Sequence, residues 1–238
     1  MFIEHCEIDR QARRDYRQTL IFSLKIIMYT GIVQSCLPIT RLSKEEGLYS
    51  FSIPFTEELI HELETGASVS VNGVCFTVTG FDGDQVSFDA VRETLDLTNI
   101  KYIEVGTLVN VERSAKQDAE IGGHIMSGHV VGTAQVTAVD VSPNNHRLSF
   151  NCDPDWLKYV FNKGFLGING ASLTIAKLNR QTSEIAVNLI PETLARTNFG
   201  LLKVGDEVNI EIESQTQVIV DTVERIMAER YAVDQPNK

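Results

Sequence analysis

The 238-residue sequence is poor in basic residues, with 21 Lys and Arg against 32 Asp and Glu and a net charge of -11. No basic stretch with interleaved aromatic side chains offsets that charge, so a nucleic-acid-binding surface is not expected. Cysteine is also scarce, and Cys6, Cys36, Cys75 and Cys152 show no CxxC spacing. We therefore expect no structural zinc site and interpret the thiols as reduced cysteines of a cytoplasmic, globular protein.

Residues 1–27 have no counterpart elsewhere in the chain, and their apolar run, which begins at Leu20, is short and interrupted by Lys25. This pattern fits neither a membrane-spanning helix nor a secretory signal peptide. The first repeated block begins at Met28, and we hypothesise that the natural product starts there. The intact mass of protein made from its native transcript would test this hypothesis.

Several blocks of the sequence occur twice. Residues 72–78 read NGVCFTV and residues 169–175 read NGASLTI, 97 positions apart. The same offset relates TGIV at 30–33 to SGHV at 127–130. ETLDLTN and ETLARTN, and then VGTLVNVE and VGDEVNIE, follow in the same order with an offset of 99. A period of this length indicates a duplicated domain, because solenoid repeats are much shorter.

The first duplicated stretch alternates apolar and polar residues, as a half-buried strand does. Cys75 and Thr77 should share one face of the first copy, and Ser172 and Thr174 the matching face of the second. Each copy would then present a small nucleophilic or hydrogen-bonding side chain followed by a Thr hydroxyl. The residues expected to face a core are Val74, Phe76, Val78, Ala171, Leu173 and Ile175.

Short β-prone runs dominate each copy. In the first they cover residues 32–42, 48–55, 68–81, 85–91 and 108–112, and Asp82-Gly83 is a hairpin-turn signal. Thr56 can cap a short helix, and Gly66 is expected just past its end. In the second copy, Asp153, Pro154 and Gly164 bracket a helix. Strands at this density predict two closed antiparallel barrels, because closure removes exposed edges.

The C-terminal segment changes to a helical period. Ile219, Val223 and Ile226 follow helical spacing, which predicts one amphipathic helix. This helix either packs onto a barrel or bundles with copies of itself in an oligomer.

The segments MYTGIVQ, GASVSVNGVCFTV, ETLDLTN, VNVERSAK, IGGHIMSGHV, KGFLGINGASLTI and LIPETLARTN together resemble the riboflavin synthase family, from Met28 to about Arg230. The resemblance implies an all-β fold with two tandem homologous six-stranded Greek-key barrels followed by a C-terminal α-helix. The expected divisions are an N-terminal extension at 1–27, the first lumazine-binding barrel at 28–121, the second at 122–213, and a trimerisation helix and tail at 214–238.

The resemblance also implies the activity. Two molecules of 6,7-dimethyl-8-ribityllumazine exchange a four-carbon unit and give riboflavin and 5-amino-6-(ribitylamino)uracil, with no metal or redox cofactor. The family forms homotrimers in which the first barrel of one subunit faces the second barrel of its neighbour, and association with lumazine synthase is a further implied partner. A reaction between two copies of one molecule explains why two similar pockets would be kept.

The family's site residues map onto two groups here. The resemblance assigns to the first pocket Gly31, Ile32, Val33, Cys75, Phe76, Thr77, Asp89, Ala90, Val91, Arg92, Glu93 and Thr94. It assigns to the second Gly128, His129, Val130, Lys163, Ser172, Leu173, Thr174, Leu189, Ile190, Pro191, Glu192, Thr193 and Leu194. Many contacts would come from the main chain, while Thr hydroxyls and Glu93 or Glu192 could reach a ribityl chain.

The chemistry needs a nucleophile at C7 of one lumazine and a base for the C7 methyl group of the other. We assign proton transfer to His129, because imidazole titrates near neutrality, and either nucleophilic addition or polarisation of the first substrate to Cys75. Ser172 supplies the matching hydroxyl in the second pocket. His124 is interpreted as structural. On this mapping Cys75 and His129 are expected to lie far apart within one chain.

Two positions depart from the family pattern, where Asp is common: Asn169 and Glu213. Asn169 cannot act as a base, so we expect it to contribute hydrogen bonds or a turn.

Three other classes of function remain open. A lumazine protein that binds without turnover shares the fold, but here both halves keep the hydroxyl-bearing strand. A flavin reductase domain would bring a Gly-rich nucleotide-binding partner domain, which the sequence lacks. A purely structural trimer would not need two matched pockets.

Overall fold

The computed structural model describes residues 28–116, 119–143 and 145–233. The hypothesis about residues 1–27 therefore lies outside the described residues. The described chain is mostly antiparallel β-structure in two halves, followed by one long helix.

The first half forms a seven-stranded sheet in the order β1-β7-β4-β5-β6-β3-β2. Its outer strands, β1 and β2, are consecutive in the chain. Ile39 N–H donates to the Thr107 carbonyl and Thr40 N–H to the Ser52 carbonyl, both at 2.9 Å, so the bend between them stays paired on both sides and closes the ring. The strands are β1 Ser35–Pro38, β2 Arg41–Glu45, β3 Leu48–Pro54, β4 Ser68–Val71, β5 Val74–Asp82, β6 Gln85–Val91 and β7 Leu108–Arg113.

The second half is a closed six-stranded barrel in the order β10-β11-β12-β9-β8-β13. Strand β8 pairs with both β13 and β9. This single long strand therefore occupies the place that β1 and β2 share in the first half. The return of β12 to pair with β9 is a Greek-key connection. The strands are β8 Gly132–Ser142, β9 Asn145–Asn151, β10 Phe165–Ile168, β11 Ala171–Asn179, β12 Glu184–Leu189 and β13 Glu207–Glu211. The predicted pair of barrels is confirmed.

Side chains of the duplicated stretch alternate between the core and the outer face as predicted. All six residues expected to face a core are buried, whereas Cys75 and Ser172 are half-buried and Thr77 and Thr174 are exposed. Each barrel has its own core, but each core takes one residue from the other half. Val33 belongs to the core of the second barrel, and Val130 packs against the core of the first.

This exchange begins where the two duplicated N-terminal segments cross. Tyr29 and Met126 form an antiparallel bridge, with N–H to carbonyl distances of 2.8 and 2.9 Å. From this bridge each segment continues over the opposite barrel. The first few residues of each sequence repeat therefore pack against the barrel formed by the other repeat.

Two tight turns meet at the interface between the halves. Asn72-Gly73 joins β4 to β5 and Asn169-Gly170 joins β10 to β11, all four with positive φ, as the Asn-Gly hairpin turn requires. A Cβ at Gly73 would lie 2.7 Å from the Gly170 nitrogen, so the approach of the turns needs glycine. The turn role expected for Asn169 is confirmed.

Asparagines of the repeats complete this interface in pairs. Asn99 N–H donates to Asn209 Oδ1 at 2.7 Å, and Asn198 N–H donates to Asn110 Oδ1 at 2.8 Å. Asn99 Nδ2 also donates to Asn169 Oδ1 at 3.0 Å. Because these amides are largely buried and their bonds cross between the halves, they fix the orientation of one barrel against the other.

The short helices differ in part from expectation. Helix α1, Glu57–Ile60, is capped by Thr56 as predicted, but it ends at Ile60, so the prediction of its end beside Gly66 was wrong. The helix expected up to Gly164 is a 3₁₀ segment, Pro154–Tyr159, and the prediction of its end was wrong. Val160 leaves the helix because its side chain, 2% exposed, enters the core. Helices not predicted are α2 Arg92–Leu97, α3 Pro191–Arg196 and the 3₁₀ segments Asn99–Tyr102 and Asn198–Leu201.

The C-terminal helix α4, Ser214–Val233, touches the second barrel through polar groups. Lys158 Nζ lies 2.7 Å from a carboxylate oxygen of Glu224, and the Tyr159 hydroxyl donates to Asp221 at 2.6 Å. Five of its apolar side chains are between 43 and 65% exposed: Val218, Ile219, Val223, Ile226 and Met227. Within the described residues, no helix is long and apolar enough to cross a membrane.

Candidate active site

Strand β5 presents Cys75 at a point where both halves meet. The Tyr29 hydroxyl donates to Cys75 Sγ at 3.0 Å, and Cys75 N–H donates to the Gly128 carbonyl at 3.0 Å. His129 follows directly and is exposed. We call Tyr29, Cys75, Gly128 and His129 the Cys75 cluster. Gly128 has a φ of +78°, and a Cβ there would lie 2.6 Å from the Cβ of Cys75, so this approach requires glycine.

Strand β11 presents Ser172 in the equivalent place. Ser172 N–H donates to the Gly31 carbonyl at 2.8 Å, and Ser172 Oγ lies 2.6 Å from His124 Nδ1. The His124 ring stacks on Phe165, with centroids 5.6 Å and planes 18° apart. Exposed Ile32 follows Gly31, as His129 follows Gly128. We call Gly31, Ile32, His124, Phe165 and Ser172 the Ser172 cluster.

His124 is a buried imidazole with one satisfied nitrogen. It is 8% exposed, and within the described part of the chain its Nε2 has no hydrogen-bond partner. Burial lowers the pKa of His124, and the negative charge of Glu213 opposes that shift. The imidazole is therefore neutral at pH 7. The contact of His124 with Ser172 was not foreseen from the sequence, and the interpretation of His124 as structural stays a prediction.

The grouping of residues into pockets must be corrected. Gly31–Val33 were expected beside Cys75 and Gly128–Val130 beside Ser172, but the hydrogen bonds join Gly31 to Ser172 and Gly128 to Cys75. The expectation that Cys75 and His129 lie far apart within one chain was also wrong. The cause is the crossing of the two N-terminal segments, which no local pattern reveals.

Two buried glutamates hold those crossing segments. Glu112 accepts from Thr30 N–H at 2.7 Å, the Thr30 hydroxyl at 2.8 Å and Gly31 N–H at 3.1 Å. Glu211 accepts in the same way from Ser127 and Gly128. Each glutamate therefore supports, through a glycine, the cluster of the opposite barrel.

Burial changes the acidity of these carboxyls. It raises the pKa of Glu112 to about 7, although the three donors act in the opposite direction. Burial likewise raises the pKa of Glu211. The initial site assignment missed both residues. The signal was available, because both end the duplicated blocks VNVE and VNIE.

Comparison with known proteins decides the family. A lumazine binding domain matches twice, at residues 30–114 and 127–213. The riboflavin synthase of Escherichia coli (strain K12) is 46% identical over 211 residues, which cover 88% of this chain and 98% of that protein. The chain belongs to the riboflavin synthase family. The riboflavin synthase of Bacillus subtilis (strain 168) is 33% identical over 186 residues, 78% of this chain and 85% of that protein.

Solved structures of LumP share the fold of this chain. The crystal structure of LumP complexed with riboflavin has a TM-score of 0.71 at 28% identity, covering 77% of this chain and 98% of that one. LumP complexed with 6,7-dimethyl-8-(1'-D-ribityl) lumazine gives 0.70 at 27% identity, covering 78% and 99%. The higher identities belong to the riboflavin synthases, so a family member that only binds a lumazine is not favoured.

The other residues assigned from the riboflavin synthase family occupy the strands and junctions around the two clusters. Several side chains are buried, so only their backbone can face a ligand: Val33, Phe76, Ala90, Leu173 and Leu189. Residues 89–94 form the junction of β6 with α2, and residues 189–194 that of β12 with α3. Lys163 is exposed before β10, and its N–H donates to the Ile175 carbonyl at 2.9 Å.

Several exposed side chains at these junctions already have polar partners. Asp89 accepts from the Ser50 hydroxyl at 2.6 Å, and Arg92 donates to Glu46 at 3.1 Å. Glu192 accepts from Arg196 one turn further along α3. Their assignment to substrate stays a prediction.

The two positions at which the chain departs from the riboflavin synthase pattern both have structural partners. Asn169 Oδ1 accepts from Asn209 N–H at 2.8 Å, within the interface between the halves. Glu213 accepts from Thr216 N–H at 2.8 Å and so caps the start of α4. Among residues 28–116, 119–143 and 145–233, no group of three or more His, Cys, Asp or Glu side chains is placed to hold a metal ion.

Proposed function

We infer that the chain catalyses the dismutation of two 6,7-dimethyl-8-ribityllumazine molecules into riboflavin and 5-amino-6-(ribitylamino)uracil. The observation that carries this inference is the pair of clusters, which present Cys75 and Ser172 at equivalent positions of duplicated strands. Each is half-buried beside a glycine carbonyl of the crossing segment. Two equivalent sites in one chain suit a reaction in which one compound is both donor and acceptor.

Each cluster would bind one lumazine. The backbone of the glycine segments and of the buried strand residues offers N–H and C=O groups for the pteridine edge. The exposed hydroxyls of Thr77 and Thr174, with Glu93 and Glu192 at the strand–helix junctions, suit the ribityl chain. His129, exposed in the Cys75 cluster, is our assignment for removal of the C7-methyl proton.

The two substrates must also face each other, and we propose that assembly brings them together. The exposed apolar side chains of α4 support a homotrimer in which the Cys75 cluster of one subunit meets the Ser172 cluster of its neighbour. A cytoplasmic location and association with lumazine synthase stay predictions; co-sedimentation of the two purified proteins tests the latter.

The direct test is incubation of the purified chain with the lumazine alone. We expect one riboflavin for every two lumazines consumed, followed by chromatography and by riboflavin fluorescence. Turnover should persist after exhaustive chelation and without nicotinamide nucleotides, because the pteridine ring itself delocalises the carbanion. Tight binding of the lumazine with no riboflavin formed would instead identify a binding protein of the same fold.

A further inference from the structure

The two equivalent side chains, Cys75 and Ser172, have chemically different partners. Cys75 Sγ receives a hydrogen bond from a phenol, Tyr29, whereas Ser172 Oγ lies 2.6 Å from an imidazole nitrogen of His124. The difference arises because the second half has no tyrosine at the position equivalent to Tyr29. Met126, the residue equivalent to Tyr29, lies beside Gly31 and Gly167. His124, two residues before Met126, contacts Ser172 instead. This difference indicates that the two clusters have different roles in the reaction.

We propose that His124 takes the hydroxyl proton of Ser172 while Ser172 Oγ adds to C7 of the lumazine bound at the Ser172 cluster. This inference rests on the proposed function and assigns the nucleophile within it. One bond forms, from Oγ to C7, as the Oγ–H bond breaks. The displaced π electrons of C7 are delocalised onto the pyrimidinedione ring, and the proton stays on His124 as imidazolium. Reversal of this step later returns the proton to Ser172.

The surroundings of His124 suit this role. Stacking on Phe165 and burial fix the ring, and a neutral imidazole can accept a proton through Nδ1. Glu213 is the carboxylate whose charge acts on this ring and favours the imidazolium once formed. Gly123 leaves the necessary space, since a Cβ there would lie 2.6 Å from Ser172 Cβ and 2.3 Å from the Thr30 carbonyl oxygen.

In the part of the chain that the structure describes, the Cys75 thiol has no hydrogen bond to an imidazole such as the one that joins Ser172 to His124. Tyr29 donates to Cys75 Sγ, and burial together with the neighbouring thiol raises the pKa of the Tyr29 hydroxyl, so the phenol stays protonated. A protonated phenol cannot remove the thiol proton. Ser172 is therefore better activated as a nucleophile than Cys75, and Tyr29 acts as a positioning residue for Cys75.

The test compares Ser172→Ala, His124→Asn and the double variant. An Asn amide can keep a hydrogen bond to Ser172 near the Nδ1 position but cannot take its proton. We expect each single variant to lower kcat by roughly 100- to 1000-fold with KM changed less than about 3-fold, the range for loss of general-base catalysis. The double variant should be no slower than Ser172→Ala by more than about 3-fold, because residues acting as one unit are non-additive. His61→Asn, at an exposed histidine of the first half, is the matched control and should leave kcat unchanged.

Two further measurements separate chemistry from folding. The wild-type profile of kcat against pH should show an acidic limb that His124→Asn lacks. Addition at C7 interrupts pteridine conjugation, so a transient loss of the long-wavelength absorption should occur in the wild type and be absent from both single variants. Riboflavin affinity and melting temperature show whether each variant is folded. A folded His124→Asn with more than a third of wild-type kcat, or losses that multiply in the double variant, would overturn the proposal. Riboflavin formation by the wild type would then still support the proposed function.

Discussion

The backbone N–H of Cys75 donates a 3.0 Å hydrogen bond to the carbonyl oxygen of Gly128, a residue of the other half of the chain. His129, which follows Gly128, therefore belongs with Cys75. Lesions at these two residues damage the same cluster, whereas a lesion at Ser172 damages the other one. In the proposed homotrimer, this relationship determines which pairs of inactive subunits should restore one another's activity.

Mixed trimers should recover activity when their lesions lie in different clusters. Co-refolding His129→Ala subunits with Ser172→Ala subunits should create some interfaces that join an intact Cys75 cluster to an intact Ser172 cluster. We expect turnover well above the mean of the two separate variants, measured as riboflavin formed after native mass spectrometry has verified mixed trimers.

The control pairs Cys75→Ala with His129→Ala. Every Cys75 cluster in that mixture carries one lesion, so its activity should not exceed the mean of the two variants. Recovery in this control, or no recovery for His129→Ala with Ser172→Ala in verified mixed trimers, would reject a site shared between neighbouring subunits.

Local signals predicted the barrels well. The alternation in NGVCFTV and NGASLTI identified which side chains enter the cores, because the face of a strand residue depends only on its position in the strand. Asp82-Gly83 marked the turn between β5 and β6 correctly. The run 68–81 was not divided at Asn72-Gly73, although the same turn chemistry lies there.

The crossing of the N-terminal segments could not be predicted from local sequence signals. Which barrel receives Val33 depends on contacts between residues about 100 positions apart, and both arrangements satisfy the same local pattern. The contact of His124 with Ser172 is of the same kind. The resemblance supplied the site residues, but their grouping needed the three-dimensional structure.

The asparagine interface should contribute measurably to stability. Asn198 is 7% exposed, and its Nδ2 donates to Asn72 Oδ1 at 3.1 Å and to the Leu108 carbonyl at 3.2 Å. Asn198→Ala should lower the free energy of unfolding by about 1–3 kcal/mol, because these bonds are lost and buried acceptors remain. Urea unfolding measures this change. Exposed Asn162→Ala is the control, and equal losses in the two variants would contradict the role of the interface.

The acidity of Glu112 predicts a pH-dependent stability. Its pKa is about 7 in the folded chain against 4.5 ordinarily, so its contribution to stability is fully present below about pH 4.5 and is lost as pH rises through 7. Glu112→Gln cannot ionise. Relative to wild type, the variant should gain up to about 3 kcal/mol in unfolding free energy between pH 4.5 and 8. Any constant cost of the amide facing Gly31 N–H cancels in this comparison. Urea unfolding at both pH values provides the measurement, and a difference that does not vary with pH would show that the carboxyl keeps its ordinary pKa.

The C-terminal helix should be needed for assembly but not for folding of the barrels. Deleting residues 215–238 removes the exposed apolar side chains of α4, so we expect monomers with intact β-structure and little activity, measured by sedimentation equilibrium, circular dichroism and riboflavin formation. Ile219→Glu with Val223→Glu tests the apolar face alone, because it leaves the polar contacts between α4 and the second barrel in place. Asp221→Asn is the matched control: it weakens the contact with Tyr159 while sparing the apolar face, and it should stay trimeric. Trimers formed by the truncated chain would place the assembly surface on the barrels, and the exposed face of α4 would then need another explanation.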